Sequence, residues 1–181
     1  MIPVGYMLRR VAPADPAMKL GPVIDIYSVS SCISKDFADY IHYWRHNGYW
    51  LFNKSSDLDA ILSQEGKNRD AFRLFYYEMY EQQFDENAMR WSAVTPPEAS
   101  FETLVEQPVN ATLEGFDVTT WSPGSAGCSP LSCNYLAREL PVNSHCLFES
   151  FEAAMDALEA GKFANTEPGP FRIFSLYSVD S

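Results

Sequence analysis

The 181 residues contain no run of about 20 apolar side chains, so no segment is read as a membrane-spanning helix. No G-x-G-x-x-G, Walker loop or G-x-S-x-G is present, which removes dinucleotide binding, phosphate-loop hydrolysis and the hydrolase elbow as leading functions. Basic residues are few, 13 against 24 acids, and the net charge of −11 lacks the positive footprint a nucleic-acid binder needs. Histidine occurs three times and cysteine four times. The first residues, MIPVGYMLRRVAPADP, have no uninterrupted apolar core and are not read as a secretory signal. The expectation is a soluble, cytoplasmic protein whose cysteines stay reduced. In an oxidising compartment Cys128 and Cys133 would be the first pair to bridge.

What is present is a globular composition, 46% hydrophobic and 14% aromatic, enough to build a core without staples. Val4 to Ala12 reads as a strand, as does VIDIYSVS over residues 23 to 30. Ser34 is placed to cap a helix with Phe37, Tyr40, Ile41 and Trp44 on one face, and Asn47-Gly48 to stop it. A short strand follows at residues 49 to 52 (YWLF), then a helix opened by Ser56 and Asp57, carrying Leu58, Ile61 and Leu62 and ended by Gly66. Residues 72 to 84 are apolar on both alternating faces at first, as in a strand covered on two sides.

The same order returns from residue 116. FDVTTW reads as a strand, Ser129-Pro130 starts a helix through LSCNYLAREL, and HCLF at 145 to 148 reads as a strand. Ser150 caps a helix bearing Phe151, Ala154, Met155 and Leu158, and FRIFSLYSV closes the unit as a strand. Cys32 to Leu51-Phe52 and Cys128 to Leu147-Phe148 share one spacing, and Asn47 matches Asn143 in that frame. The expected fold is therefore α/β, with α+β as the alternative. It comprises two similar βαβαβ halves duplicated about a pseudo-twofold axis, with helices covering a mixed sheet. The halves are residues 1–86, with a leading strand, and 116–181. An acidic connection, 87–115, joins them in one compact unit.

Charge is concentrated in the middle. Residues 78 to 117 hold nine acids (Glu78, Glu81, Asp85, Glu86, Glu98, Glu102, Glu106, Glu114 and Asp117) and a single base, Arg90. Such a field attracts a basic protein surface, and it also serves simply to keep a solvated connection soluble. Glu78, Glu81, Asp85, Glu86, Glu98, Glu102 and Glu106 are the partner-binding candidates, joined by His46 and Tyr49 from the aromatic stretch YWRHNGYW. Trp44 and Trp50 in that stretch are read as core.

The cysteines admit two readings. Opposite Cys133 and Cys146 in the repeat frame stand Phe37 and Trp50, which marks the two thiols as interior fillers. Alternatively, Cys133 lies near the start of the helix begun by Ser129-Pro130, where the dipole favours a thiolate, so Cys133, Cys128 and His145 are catalytic candidates for a small thiol enzyme with a cleft between the halves. No orienting carboxylate for His145 is visible in the sequence. A metal site is not expected: Cys128-x4-Cys133 is matched only by adjacent His145-Cys146, and His42 and His46 lack the glutamate of H-E-x-x-H. No cofactor is implied.

The stretches SVSSCIS, YWRHNGYW, CSPLSCN and EPGPFRIF together resemble a family of small acidic bacterial proteins of unknown function, over about Tyr6 to Val179. That resemblance implies no activity and assigns no residue. The reading that follows from charge is a binding or inhibitory protein of immunity type, set against a basic protein partner.

Overall fold

A computed structural model describes residues 1–30, 46–95, 104–122 and 125–180. The outer strand β1 (Ile2–Arg9) leads into a two-residue strand β2 (Ala12–Pro13), which pairs with β3 (Asp25–Ile26) in a small antiparallel ribbon. Helix α1 (Ser55–Gln64) buries Leu58, Ile61 and Leu62, the i, i+3, i+4 stripe of one face, and packs on β1. Then come β4 (Arg73–Asp85), β5 (Arg90–Ala93), β6 (Ala111–Ser122) and β7 (Ser125–Ala126). One turn of helix, α2 (Pro130–Cys133), precedes α3 (Phe151–Glu159) and the last strand, β8 (Phe171–Val179). Ser150 caps α3 by accepting the Ala153 N–H at 3.1 Å.

The sheet runs β1-β4-β8-β6-β7, with β5 also hydrogen-bonded to β4, and every pair is antiparallel. β4 and β8 lie at its centre, with Tyr77 opposite Leu176. Leu74 to Tyr77 and Phe171 to Leu176 are buried without interruption, so both faces are covered there. On one face Phe151 of α3 meets the rings of Tyr80 and Phe116. Among the described residues no helix is long and apolar enough to cross a membrane.

This architecture overturns the α/β expectation of two βαβαβ halves around a mixed sheet. The sheet is antiparallel with few helices, an arrangement that fits α+β. The physical reason lies in four segments that fold otherwise than expected. Residues 49 to 52 and 145 to 148 are turns, in which only Phe52 and Phe148 make single bridges, to Tyr6 and Phe116. Trp50 and Cys146 stand at φ 58 and φ 63, left-handed values that end a strand. Residues 23 to 30 form a strand only at Asp25–Ile26, and the helix after Ser129-Pro130 stops at Cys133, where Tyr135 takes φ 61. The helix expected at 34 to 48 lies largely outside the described residues.

What recurs is smaller than the expected module. In each case an outer strand carries a glycine at positive φ, Gly5 at +133 and Gly115 at +147. An asparagine clamps the turn against it. Asn47 Nδ2 donates to the Val4 carbonyl at 2.8 Å, and its Oδ1 accepts from Tyr49 N and Leu51 N at 2.8 and 3.4 Å. Asn143 repeats this with the Glu114 carbonyl at 2.8 Å and with His145 N and Leu147 N at 2.9 and 3.1 Å. A Cβ on either glycine would stand 2.7 Å from a backbone oxygen, that of Phe52 or Phe148, so close packing of turn on strand requires glycine in both places. A helix and a central strand follow each turn.

Candidate functional site

The two asparagine turns differ in what they present. In the first, Tyr49 is buried and its ring meets that of Trp121 edge-on at 6.1 Å. The Arg172 guanidinium lies over the Trp121 ring, 4.3 Å from its centroid. Gln83 Oε1 accepts from Arg172 Nε and Nη2 at 3.3 and 3.1 Å, and Arg172 is only 5% exposed. Burial lowers its pKa to about 10. This copy is closed.

In the second turn, His145 takes the place of Tyr49. Its ring stacks on Tyr27 with centroids 4.1 Å apart, and Arg73 lies 5.4 Å over Tyr27 while donating to the Tyr27 hydroxyl. The order arginine, aromatic ring, turn residue is the same, but Arg73 is exposed and His145 is half-buried. This copy opens onto a groove of about 550 Å³, within the size range of ligand sites, at the end of the sheet where β4 begins and β8 finishes. Four carboxylates line it, those of Asp25, Asp70, Glu114 and Asp180, together with Arg69, Arg73 and Ser178.

The carboxylates are held from different elements. Asp25 Oδ1 lies 2.5 Å from His145 Nδ1, and the peptide N–H groups of Ile24 and Tyr27 bond to the Ser144 and His145 carbonyls, fastening β3 to the turn. Glu114 accepts from the Ser178 hydroxyl at 2.5 Å through Oε1, and its Oε2 stands 3.8 Å from His145 Nε2. Asp25 is thus the carboxylate that orients His145, and it was invisible in the sequence because 120 positions separate the two residues. Its signal was a single acid inside the apolar run VIDIYSVS. Arg73 and Ser178 carried no signal at all.

The other predicted residues fall elsewhere. Glu78 accepts from the hydroxyls of Tyr76 and Tyr177 at 3.3 and 3.1 Å. Glu81 is exposed, Asp85 caps the turn at Asn87 and Ala88, and Glu86 accepts the Gly169 N–H at 2.8 Å. Eight to thirteen positions along β4 and just past its end separate these three from Arg73, a distance of roughly 25–45 Å at about 3.3 Å per residue, so they do not share the groove. Glu106 pairs with Lys54 at 3.1 Å, and its carbonyl accepts from the Tyr6 hydroxyl. His46 stacks on Trp50 at 4.3 Å. Glu98 and Glu102 lie outside the described residues.

The thiols are dispersed from this groove's chemistry. Cys128 is half-buried, and its N–H donates to Thr120 Oγ1 at 3.0 Å. Cys133 is the last residue of the one-turn α2, not the first turn of a long helix, so the dipole that would favour its thiolate is absent. Burial pushes the Cys146 thiol up to about 12, with Asp117 and Cys133 adding to the effect. Among the described residues no group of three or more His, Cys, Asp or Glu side chains is placed to share a metal ion.

A buried polar knot centred on β6 is a feature that the sequence did not reveal. Asp117 is fully buried and accepts from the hydroxyls of Ser28 and Ser129 at 2.5 and 2.6 Å, tying the segment after β3 and the start of α2 to β6. Desolvation raises its pKa from 3.8 to about 6 against the opposing effect of those hydrogen bonds. No protein-family model, curated protein or solved structure matches this chain.

Proposed function

We propose that this is a cytoplasmic binding or inhibitory protein of immunity type, which engages a basic protein partner through its acidic surface and seats a cationic side chain of that partner in the groove. The observation that supports this reading is the balance of charge around the cavity. Four carboxylates line it against two arginines, of which Arg69 is engaged within the chain by Asp59 and the Phe72 carbonyl, while Arg73 gives one N–H to the Tyr27 hydroxyl. A lysine or arginine entering the groove meets a field that is net negative locally and, at −11, overall. Glu81 and the Asp85-Glu86 turn extend that field along β4 and speed encounter without sharing the seat. A thiol nucleophile gains nothing from the positions of Cys133 and Cys146.

Titration with a hexa-arginine peptide, followed by the ring signals of His145 in NMR, tests the proposal. Binding is expected to move those signals, to weaken as salt rises, and to weaken in Glu114→Gln. A peptide that leaves His145 unmoved, or whose binding is insensitive to salt, overturns it.

A further inference from the structure

Resting on that reading, we propose that Arg73 anchors the bound segment and that the group it holds is a carboxamide oxygen, a glutamine or asparagine side chain of the partner. The warrant is the closed copy of the same arrangement. Arg172 and Arg73 each lie over an aromatic ring that in turn meets the residue two positions after the clamping asparagine, Tyr49 or His145. In the closed copy the guanidinium fork is filled by the chain's own Gln83, whose Oε1 accepts two N–H groups. In the open copy one N–H goes to the Tyr27 hydroxyl, and among the described residues the others have no acceptor in the chain.

An incoming acceptor therefore replaces only water at Arg73, and it finds the guanidinium already positioned by Tyr27. The surrounding carboxylates decide which acceptor. A fifth carboxylate would be repelled by Asp25, Asp70, Glu114 and Asp180, whereas a carboxamide offers its oxygen to Arg73 and its two N–H donors to the acids beside it. Gln83 shows that such a side chain suits this fork.

The test uses three pentapeptides that differ at the centre, Lys-Lys-Gln-Lys-Lys and its versions with Ala or Glu in the middle, titrated calorimetrically into the full chain and into Arg73→Ala. Circular dichroism checks that the variant folds. The wild-type chain is expected to prefer Gln over Ala by about fivefold or more, the size of one charge-assisted hydrogen bond, and to disfavour Glu. In Arg73→Ala the Gln preference is expected to vanish while the Ala peptide still binds. Equal affinity for Gln and Ala in the wild type, or a preference that survives in the variant, overturns the role of Arg73 while leaving basic-partner binding intact. If no peptide binds, the basic-partner reading fails and this proposal fails with it.

Discussion

Replacing Asp117 with asparagine should change how stability depends on pH. The carboxyl is fully buried, and its pKa in the folded chain is raised from 3.8 to about 6. At about 1.36 kcal/mol per pH unit, this shift is worth about 3 kcal/mol. Below the unfolded value the group is protonated in both states, and its contribution to stability is fully present. As pH rises, unfolded chains release the proton first, so the contribution falls and is lost once pH passes through about 6. Asparagine cannot titrate. Any fixed penalty it incurs against the donors around Asp117 is the same at every pH and cancels when pH values are compared. Urea unfolding followed by tryptophan fluorescence, in both proteins from about pH 4 to about pH 7, should therefore show Asp117→Asn gaining about 2 kcal/mol on the wild type across the window, the remainder of the shift lying below about pH 4. Parallel profiles, or a wild type that gains on the variant as pH rises, would refute the reasoning.

The two kinds of positive-φ glycine should respond differently to alanine. At Gly115 a Cβ would meet the Phe148 carbonyl at 2.7 Å and Leu147 Cβ at 2.8 Å, so Gly115→Ala is expected to cost about 3 kcal/mol or more in thermal unfolding. Gly66, at φ +62 with nothing within 4 Å, should lose only about 1 kcal/mol, and equal losses would contradict the close packing of turn on strand. Cys146, with its thiol raised to about 12, should resist iodoacetamide at neutral pH in the folded protein and react fully in urea. Rapid labelling of Cys146 in the native state, read by mass spectrometry, would show that the turn is open.

Much of the secondary structure was legible because its signals are local. The i, i+3, i+4 pattern located α1 and α3, the capping Ser150 marked the start of α3, and long apolar runs located β4 and β8, whereas α1 begins at Ser55 after Lys54 with no side-chain cap from the expected Ser56. The four-residue runs at 49 to 52 and 145 to 148 were misread because a short apolar run suits a buried turn as well as a strand. What makes them turns is a side chain, Asn47 or Asn143, reaching back to the carbonyl of a distant strand, and no window of sequence contains both partners. The site was less legible. His145 drew notice as one of three histidines, but Asp25, Arg73 and Ser178 become neighbours only when β3, β4 and β8 end at the same edge.

Sequence alone determined the charge balance, the exclusion of motif-bearing chemistries, and the helices and long strands whose periodicity is written in consecutive residues. Tertiary structure alone decided that the strands run antiparallel, that one asparagine turn closes over its arginine while the other leaves a groove, and that a carboxylate from each of two strands flanks His145. The physical reason is range: periodicity and capping act over a few residues, whereas the pairing of β4 with β8 and of Asp25 with His145 joins groups about a hundred positions apart, which only the folded chain brings within hydrogen-bonding reach.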